Sequence, residues 1–157
     1  PNYVDTGNIS AEHIDQFGGE FAVVFNSLSI QAEAVYDVVD SRGGNRERFF
    51  AYYAYATYFL TGEHRNYKGS TAVFDKVEIL KPFDLDKGHW GAFEVAFRYG
   101  HIDLDSGNVR GGKMDDFTVG LNWYFIPQTR LMINYVRANL QGVGESDALG
   151  LRFQIVF

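Results

Sequence analysis

The stretch Leu149-Gly150-Leu151-Arg152-Phe153-Gln154-Ile155-Val156-Phe157 decides the reading of the fold. Leu149, Leu151, Phe153, Ile155 and Phe157 fall on one side of an extended chain, and Gly150, Arg152 and Gln154 fall on the other. An alternation of period two marks a β-strand with one apolar face, because successive side chains leave the backbone in opposite directions. The same alternation runs through Phe117, Val119, Leu121, Trp123 and Phe125 against Thr118, Gly120, Asn122 and Tyr124. It recurs in Phe93, Val95, Phe97 and Tyr99 against Glu94, Ala96 and Arg98. Upstream, Leu28, Ile30, Ala32, Ala34, Tyr36 and Val38 oppose Ser29, Gln31, Glu33, Val35 and Asp37, and Phe17, Gly19, Phe21, Val23 and Phe25 oppose Gly18, Glu20 and Ala22. Two weaker segments complete the set. In one, Leu131, Ile133 and Tyr135 oppose Met132, Asn134 and Val136; the other, Phe49 to Leu60, is apolar on both faces but rich in the aromatics that favour strands. The chain therefore reads as one all-β region over 1–157, with strands at about 16–25, 28–39, 48–60, 90–103, 116–125, 130–140 and 148–157.

Composition narrows the class. The 157 residues are 46% hydrophobic and 17% aromatic, too apolar for a disordered segment. A net charge of −6 argues against a nucleic-acid partner, whose electrostatic footprint would be basic. The absence of cysteine excludes a disulfide scaffold and a thiolate metal site. No apolar run reaches the ~20 residues of a membrane-spanning helix. The chain opens at Pro1 with no leader-like segment, so the sequence is read as a mature product or a fragment.

An amphipathic meander suits a soluble lipocalin-like barrel as well as a membrane barrel, and periodicity alone does not separate them. Three features favour the membrane. The strands match the ~9–11 residues a tilted strand needs to cross a bilayer, longer than the ~5–6 usual in globular proteins. The connections alternate between short (Asn26-Ser27, Ile126 to Thr129) and long (Asp40 to Glu47, Leu104 to Asp115, Gln141 to Asp147), as in outer-membrane barrels. Aromatics gather at strand ends (Tyr58, Phe59, Tyr99, Trp123, Tyr124, Phe125), where an interfacial girdle sits. The opposite face carries Glu20, Gln31, Glu33, Glu94, Arg98, Asn122, Arg130, Asn134, Arg152 and Gln154, too many polar groups for a dry core. Facing an aqueous lumen, they need no compensation, and these ten are the candidate pore-lining residues.

Several motifs resemble the phosphate-selective porin O and P family of Gram-negative outer membranes, in its C-terminal part. They are Tyr58-Phe59-Leu60-Thr61-Gly62-Glu63-His64-Arg65, Gly91-Ala92-Phe93-Glu94-Val95-Ala96-Phe97-Arg98-Tyr99, His101-Ile102-Asp103-Leu104, Val119-Gly120-Leu121-Asn122-Trp123-Tyr124, Arg130-Leu131-Met132-Ile133-Asn134-Tyr135 and the ending from Asp147 to Gln154. The resemblance implies a sixteen-stranded, usually homotrimeric antiparallel barrel, of which the seven or eight strands here would be the C-terminal half. It implies passage of small hydrophilic solutes or anions, phosphate-like ones among them, contact with outer-membrane lipid and lipopolysaccharide, and insertion by the barrel-assembly machinery. Phe153, Ile155 and Phe157 look like the signal that machinery reads. With the C-terminus at the periplasmic side, every short turn falls on that side. The segment 61–89, which fits no hairpin and holds Gly62, Gly69, Pro82 and Gly88, then becomes a periplasmic-side or lumen-folded insertion.

The chemistry of the polar face is mixed. Arg98, Arg130 and Arg152 stand against Glu20, Glu33, Asp37 and Glu94, whereas a phosphate filter would present a ladder of Arg and Lys whose forks match phosphate oxygens. A plainer role for such residues is a brace in the wall, as in a pairing of Glu94 with Arg98 four positions along. Catalysis, metal and cofactor sites find no support: GxSxG, HExxH and P-loop motifs are missing, and His13, His64, His89 and His101 are scattered. His101 with Asp103 and Asp105 is the one candidate rim cluster, and it has no catalytic partner in the sequence. The stretch from Asp103 to Asn108 lacks the sixth-position Gly and twelfth-position Glu of a calcium loop, and Gly142-Val143-Gly144 opens no helix, so both read as external loops. Arg42, Arg46 and Arg48 flank another loop and suit either lipopolysaccharide phosphates or plain solvation. The rival to a porin is a small closed barrel with a structural, scaffold or adhesion role and no conductance.

Overall fold

The structure, a computed structural model, describes residues 3–69 and 73–156. Strands β1 (Ala11–Phe25), β2 (Leu28–Ser41) and β3 (Arg46–Phe59) form an antiparallel meander. A short ribbon follows, β4 (Tyr67–Lys68) with β5 (Val73–Phe74). The meander then resumes with β6 (Ala92–Ser106), β7 (Val109–Ile126), β8 (Thr129–Leu140) and β9 (Gly144–Ile155). Seven strands make one antiparallel sheet in the order β1-β2-β3-β6-β7-β8-β9, so β1 and β9 are its two edges and the arc is open. The last position of the expected assembly signal, Phe157, lies outside the described residues.

The strands run longer than the alternation alone marks. β7 spans 18 residues, and the polar stretch expected as a loop over 104–115 is a continuing hairpin that turns at Gly107-Asn108. Likewise β9 starts at Gly144 and β3 at Arg46. The physical reason is that a strand needs an apolar face only where it meets lipid or a core. Beyond that level its backbone ladder continues with polar side chains in water, and the period-two signal vanishes while the hydrogen bonds persist. The expected contrast of short and long connections therefore shrinks to tight turns at both ends, with one exception, the segment from Leu60 to Gly91. At Asn26-Ser27 the chain reverses in two residues with Asn26 at φ 50, a left-handed conformation that Asn tolerates and that matches hairpin twist.

The register sorts the side chains without exception in the central sheet. Glu33 pairs with Tyr53, Tyr53 with Gly100, Gly100 with Asp116 and Asp116 with Ala138. Side chains directly opposite across strands share a face. One face is apolar and open: Phe17 is 62% exposed, Phe97 56%, Phe117 57% and Leu151 72%. In water such a surface is far beyond what a monomer leaves uncovered, and lipid is the solvent that removes the cost. Rings gather at its two ends. Near the β7–β8 turn, Phe93 stacks on Trp123 (5.6 Å) and Trp123 meets Phe125 (4.2 Å), while Trp123 donates to the Trp90 carbonyl (2.6 Å). Towards the other end Tyr52, Tyr99 and Phe117 are in ring contact, and the Tyr99 hydroxyl donates to Asp115 (2.6 Å). From Phe125 to Asp115 is ten positions along β7, about 34 Å of strand at ~3.4 Å per residue. Tilted by ~40°, that spans about 26 Å, close to the ~25 Å apolar band of outer-membrane barrels. Among the described residues no helix is long and apolar enough to cross a membrane.

The compact core is small and lies on the other face. Phe59, Ala92 and Tyr124 of the sheet are buried with Val77 and Ile79 of the 60–91 segment. Where that segment re-enters the sheet, Gly91 has φ +77 and a Cβ there would sit 2.1 Å from the Tyr124 carbonyl oxygen. Only glycine permits this approach.

Candidate pore-lining face

Register alone brings the sequence-singled residues to one face. Glu20 pairs with Glu33 across β1–β2, and Ala22 with Gln31. Glu94 pairs with Asn122 across β6–β7, and Arg98 with Thr118. Asn134 pairs with Gly120 across β7–β8. On β8–β9, Arg130 pairs with Gln154 and Met132 with Arg152. Successive odd or even positions do the rest, and all ten stand on the side opposite the exposed aromatics.

Their pairing differs from the sequence expectation. Glu94 does not brace Arg98. Its side chain is fully buried, and its Oε1 accepts from Arg65 Nη2 (2.6 Å) and Nε (2.9 Å). Its Oε2 accepts from Asn122 Nδ2 (2.8 Å) and the Tyr124 hydroxyl (2.9 Å). A carboxylate out of water is tolerable only with its charge paired and its lone pairs filled, and here both conditions hold. Burial alone would lower the pKa of Arg65, but the adjoining Glu94 charge more than offsets it and the guanidinium is held more firmly protonated than usual. Arg98 instead donates to Asp116 (2.5 Å) and lies over the Tyr53 ring (5.2 Å to the centroid). Gly100 makes room for this pair, since a Cβ at that position would fall 2.2 Å from Asp116 Oδ2. Arg130 takes neutral partners, Gln154 Oε1 (2.9 and 3.0 Å) and the Tyr124 hydroxyl (3.1 Å).

Arg65 and Asp116 thus join the network without having been singled out from sequence, and Tyr124, expected with Phe59 in the interfacial girdle, is instead buried on the polar side. Asp116 and Tyr124 carry a signal, since they continue the parity of Thr118, Gly120 and Asn122. Arg65 carries none, because it lies in a segment without period.

The segment 60–91 packs against this same face. Besides the Arg65–Glu94 pair and the Val77 and Ile79 contacts, buried Glu63 accepts from the Leu80 amide (3.3 Å) and from the Thr61 hydroxyl. The β4–β5 ribbon carries Tyr67 against Phe74 (5.2 Å between ring centres), with Arg65 over the Phe74 ring. At its far end Asp84 accepts from the Asp86 and Lys87 amides (3.1 and 3.3 Å) and pairs with Lys87 Nζ (2.8 Å). The Lys87 hydrogen bond holds the Asp84 carboxyl below its ordinary 3.8.

The suspected rim cluster is not brought together as a site. His101 pairs with Asp115 (2.8 Å), Asp103 with Lys113 (2.7 Å), and Asp105 accepts from the Gly112 amide (2.9 Å). Among the described residues no group of three or more His, Asp or Glu is placed to hold a metal. Of the loop arginines, Arg46 pairs with Asp40 (3.1 Å).

Two kinds of comparison agree with this geometry. The family of phosphate-selective porins O and P matches residues 1–157. An uncharacterized protein of Caulobacter vibrioides is 32% identical over 139 residues, covering 88% of this chain and 27% of that protein. Porin O of Pseudomonas aeruginosa is 34% identical over 121 residues, covering 68% of this chain and 26% of that protein. The chain thus spans about a quarter of the length of the relatives it matches. With its exposed apolar face, its polar opposite face and a match along its whole length, the chain belongs to the phosphate-selective porin O and P family, integral β-barrel porins of the bacterial outer membrane.

Proposed function

We propose that this chain forms one arc of a water-filled outer-membrane channel through which small hydrophilic solutes, phosphate-like anions among them, diffuse passively. The observation that carries the reading is the continuous polar face, from Glu20 on β1 to Gln154 on β9, set back to back with an exposed apolar one. Polar side chains in such numbers are stable only beside water, and in a membrane that water lies in a lumen. Eight of the ten residues named above line it, while Glu94 and Asn122 are buried and brace the wall. The segment 60–91, tied to the wall by Arg65 and Glu94, lies on the lumen side and narrows the passage. In this reading the protein works as a channel and not as an enzyme, within a barrel completed by further strands and assembled as a trimer. Phe153 and Ile155, exposed on the lipid side of β9, present the apolar pattern that the assembly machinery reads. The test is conductance of the protein, purified from its outer membrane, in a planar lipid bilayer. Stable single-channel steps are expected, and their absence from correctly folded protein would favour a closed barrel with a structural role.

A further inference from the structure

Which ions the lining favours depends on which of its charges remain uncompensated. Arg98 is neutralised by Asp116, and Arg65 by Glu94. The remainder divides by position. Glu20 and Glu33 face one another directly across β1–β2, and neither pairs with a cation among the described residues. At the opposite flank of the sheet, among the described residues Arg130 is held only by neutral groups and Arg152 on the adjoining strand has no carboxylate partner.

The β4–β5 ribbon stands between these flanks. On one side it bounds a cavity of about 340 Å³ with Glu20, Gln31, Glu33 and Tyr53 on the wall and the Tyr67 and Phe74 rings on the ribbon. On its other side a cavity of about 270 Å³ is bordered by Arg65, Lys76 and Arg130 against the single carboxylate of Asp75, with Gln154 beside them and Phe74 common to both cavities. Two carboxylates directly opposite across strands repel, and a cation drawn from solution relieves that repulsion. Low-dielectric walls focus the field of such a pair into the water beside it. Aromatic faces next to the carboxylates suit ammonium-bearing or weakly hydrated cations.

We infer that the ribbon divides the lining into an acidic passage and a basic one, and that Glu20 and Glu33 are the residues that let cations through this porin. The inference rests on the pore reading above and deepens it. Anions keep to the Arg130 flank, cations to the Glu20–Glu33 flank, so the lining is not a pure anion filter.

The experiment is the reversal potential of the purified protein in a planar bilayer under a KCl gradient, for wild type and for Glu20→Gln with Glu33→Gln. The K⁺ to Cl⁻ permeability ratio should fall at least about twofold in the double variant, and Arg130→Gln should raise it. Open channels with an unchanged ratio in the double variant would overturn the inference while leaving the pore intact. A wild type without channel steps would overturn the pore reading itself, and this inference with it. As a second reading that spares the pair's fold, Glu20→Cys should react faster with a cationic than with an anionic thiol reagent of equal size. Equal rates would count against the acidic passage.

Discussion

Glu94 shows what one buried charge can hold. Its carboxylate joins β6 to β7 through Asn122 and Tyr124, and joins both to the 60–91 segment through Arg65. Truncation in Glu94→Ala leaves the largely buried Arg65 guanidinium without its counter-charge, at a cost of up to about 3 kcal/mol. Replacing both partners with apolar residues, as in Arg65→Met with Glu94→Leu, should recover most of that loss. Urea titration of folding into lipid vesicles reads both, and a Glu94→Ala cost under about 1 kcal/mol would remove the pair from its anchoring role. Gly100→Ala is a subtler test, because its Cβ would displace the Asp116 carboxylate from Arg98. The overpacked variant should lose about 1–3 kcal/mol in the same titration. Gly100→Ala should also carry more anion current than wild type, since Arg98 is then uncompensated. None of this pairing was legible in the sequence. Spacing along one strand suggested Glu94 with Arg98, but contacts in a sheet run across strands, and the nearest charge came from a segment without any period.

At the scale of elements, lipid on one side and water on the other impose period two wherever both are present, but Phe49 to Leu60, apolar on both faces, was legible only from its aromatics. The alternation failed at strand ends, where water lies on both sides. It failed also over 60–91, whose fold depends on what it packs against, not on any repeat. Within that segment the turn at Asp84 gives a pH prediction. Its carboxyl titrates below 3.8 in the folded chain, so the contribution of its hydrogen bonds is fully present above that value and is lost as pH falls through the depressed one. Hydrogen exchange at the Asp86 and Lys87 amides, which donate to Asp84, should therefore lose protection below about pH 4 relative to the pH trend of other turns. Protection that persists there would show that the turn is held by other contacts.

Over the whole molecule, the two faces of the sheet differ in polarity, and every functional statement depends on which solvent each face meets. The polar side was legible residue by residue, since parity alone assigned its ten members to one face. That this face encloses a channel is the central claim. The absence of cysteine in this chain makes a direct measurement practicable: single cysteines at Gln31, Asn134 and Arg152 on the polar face, and at Ile30, Ile133 and Leu151 on the apolar face, probed with a membrane-impermeant charged thiol reagent during bilayer recording. The account predicts that reagent at the first three positions reduces the single-channel current, while the latter three give the wild-type response. Current block from the apolar positions, or none from the polar ones, would contradict it.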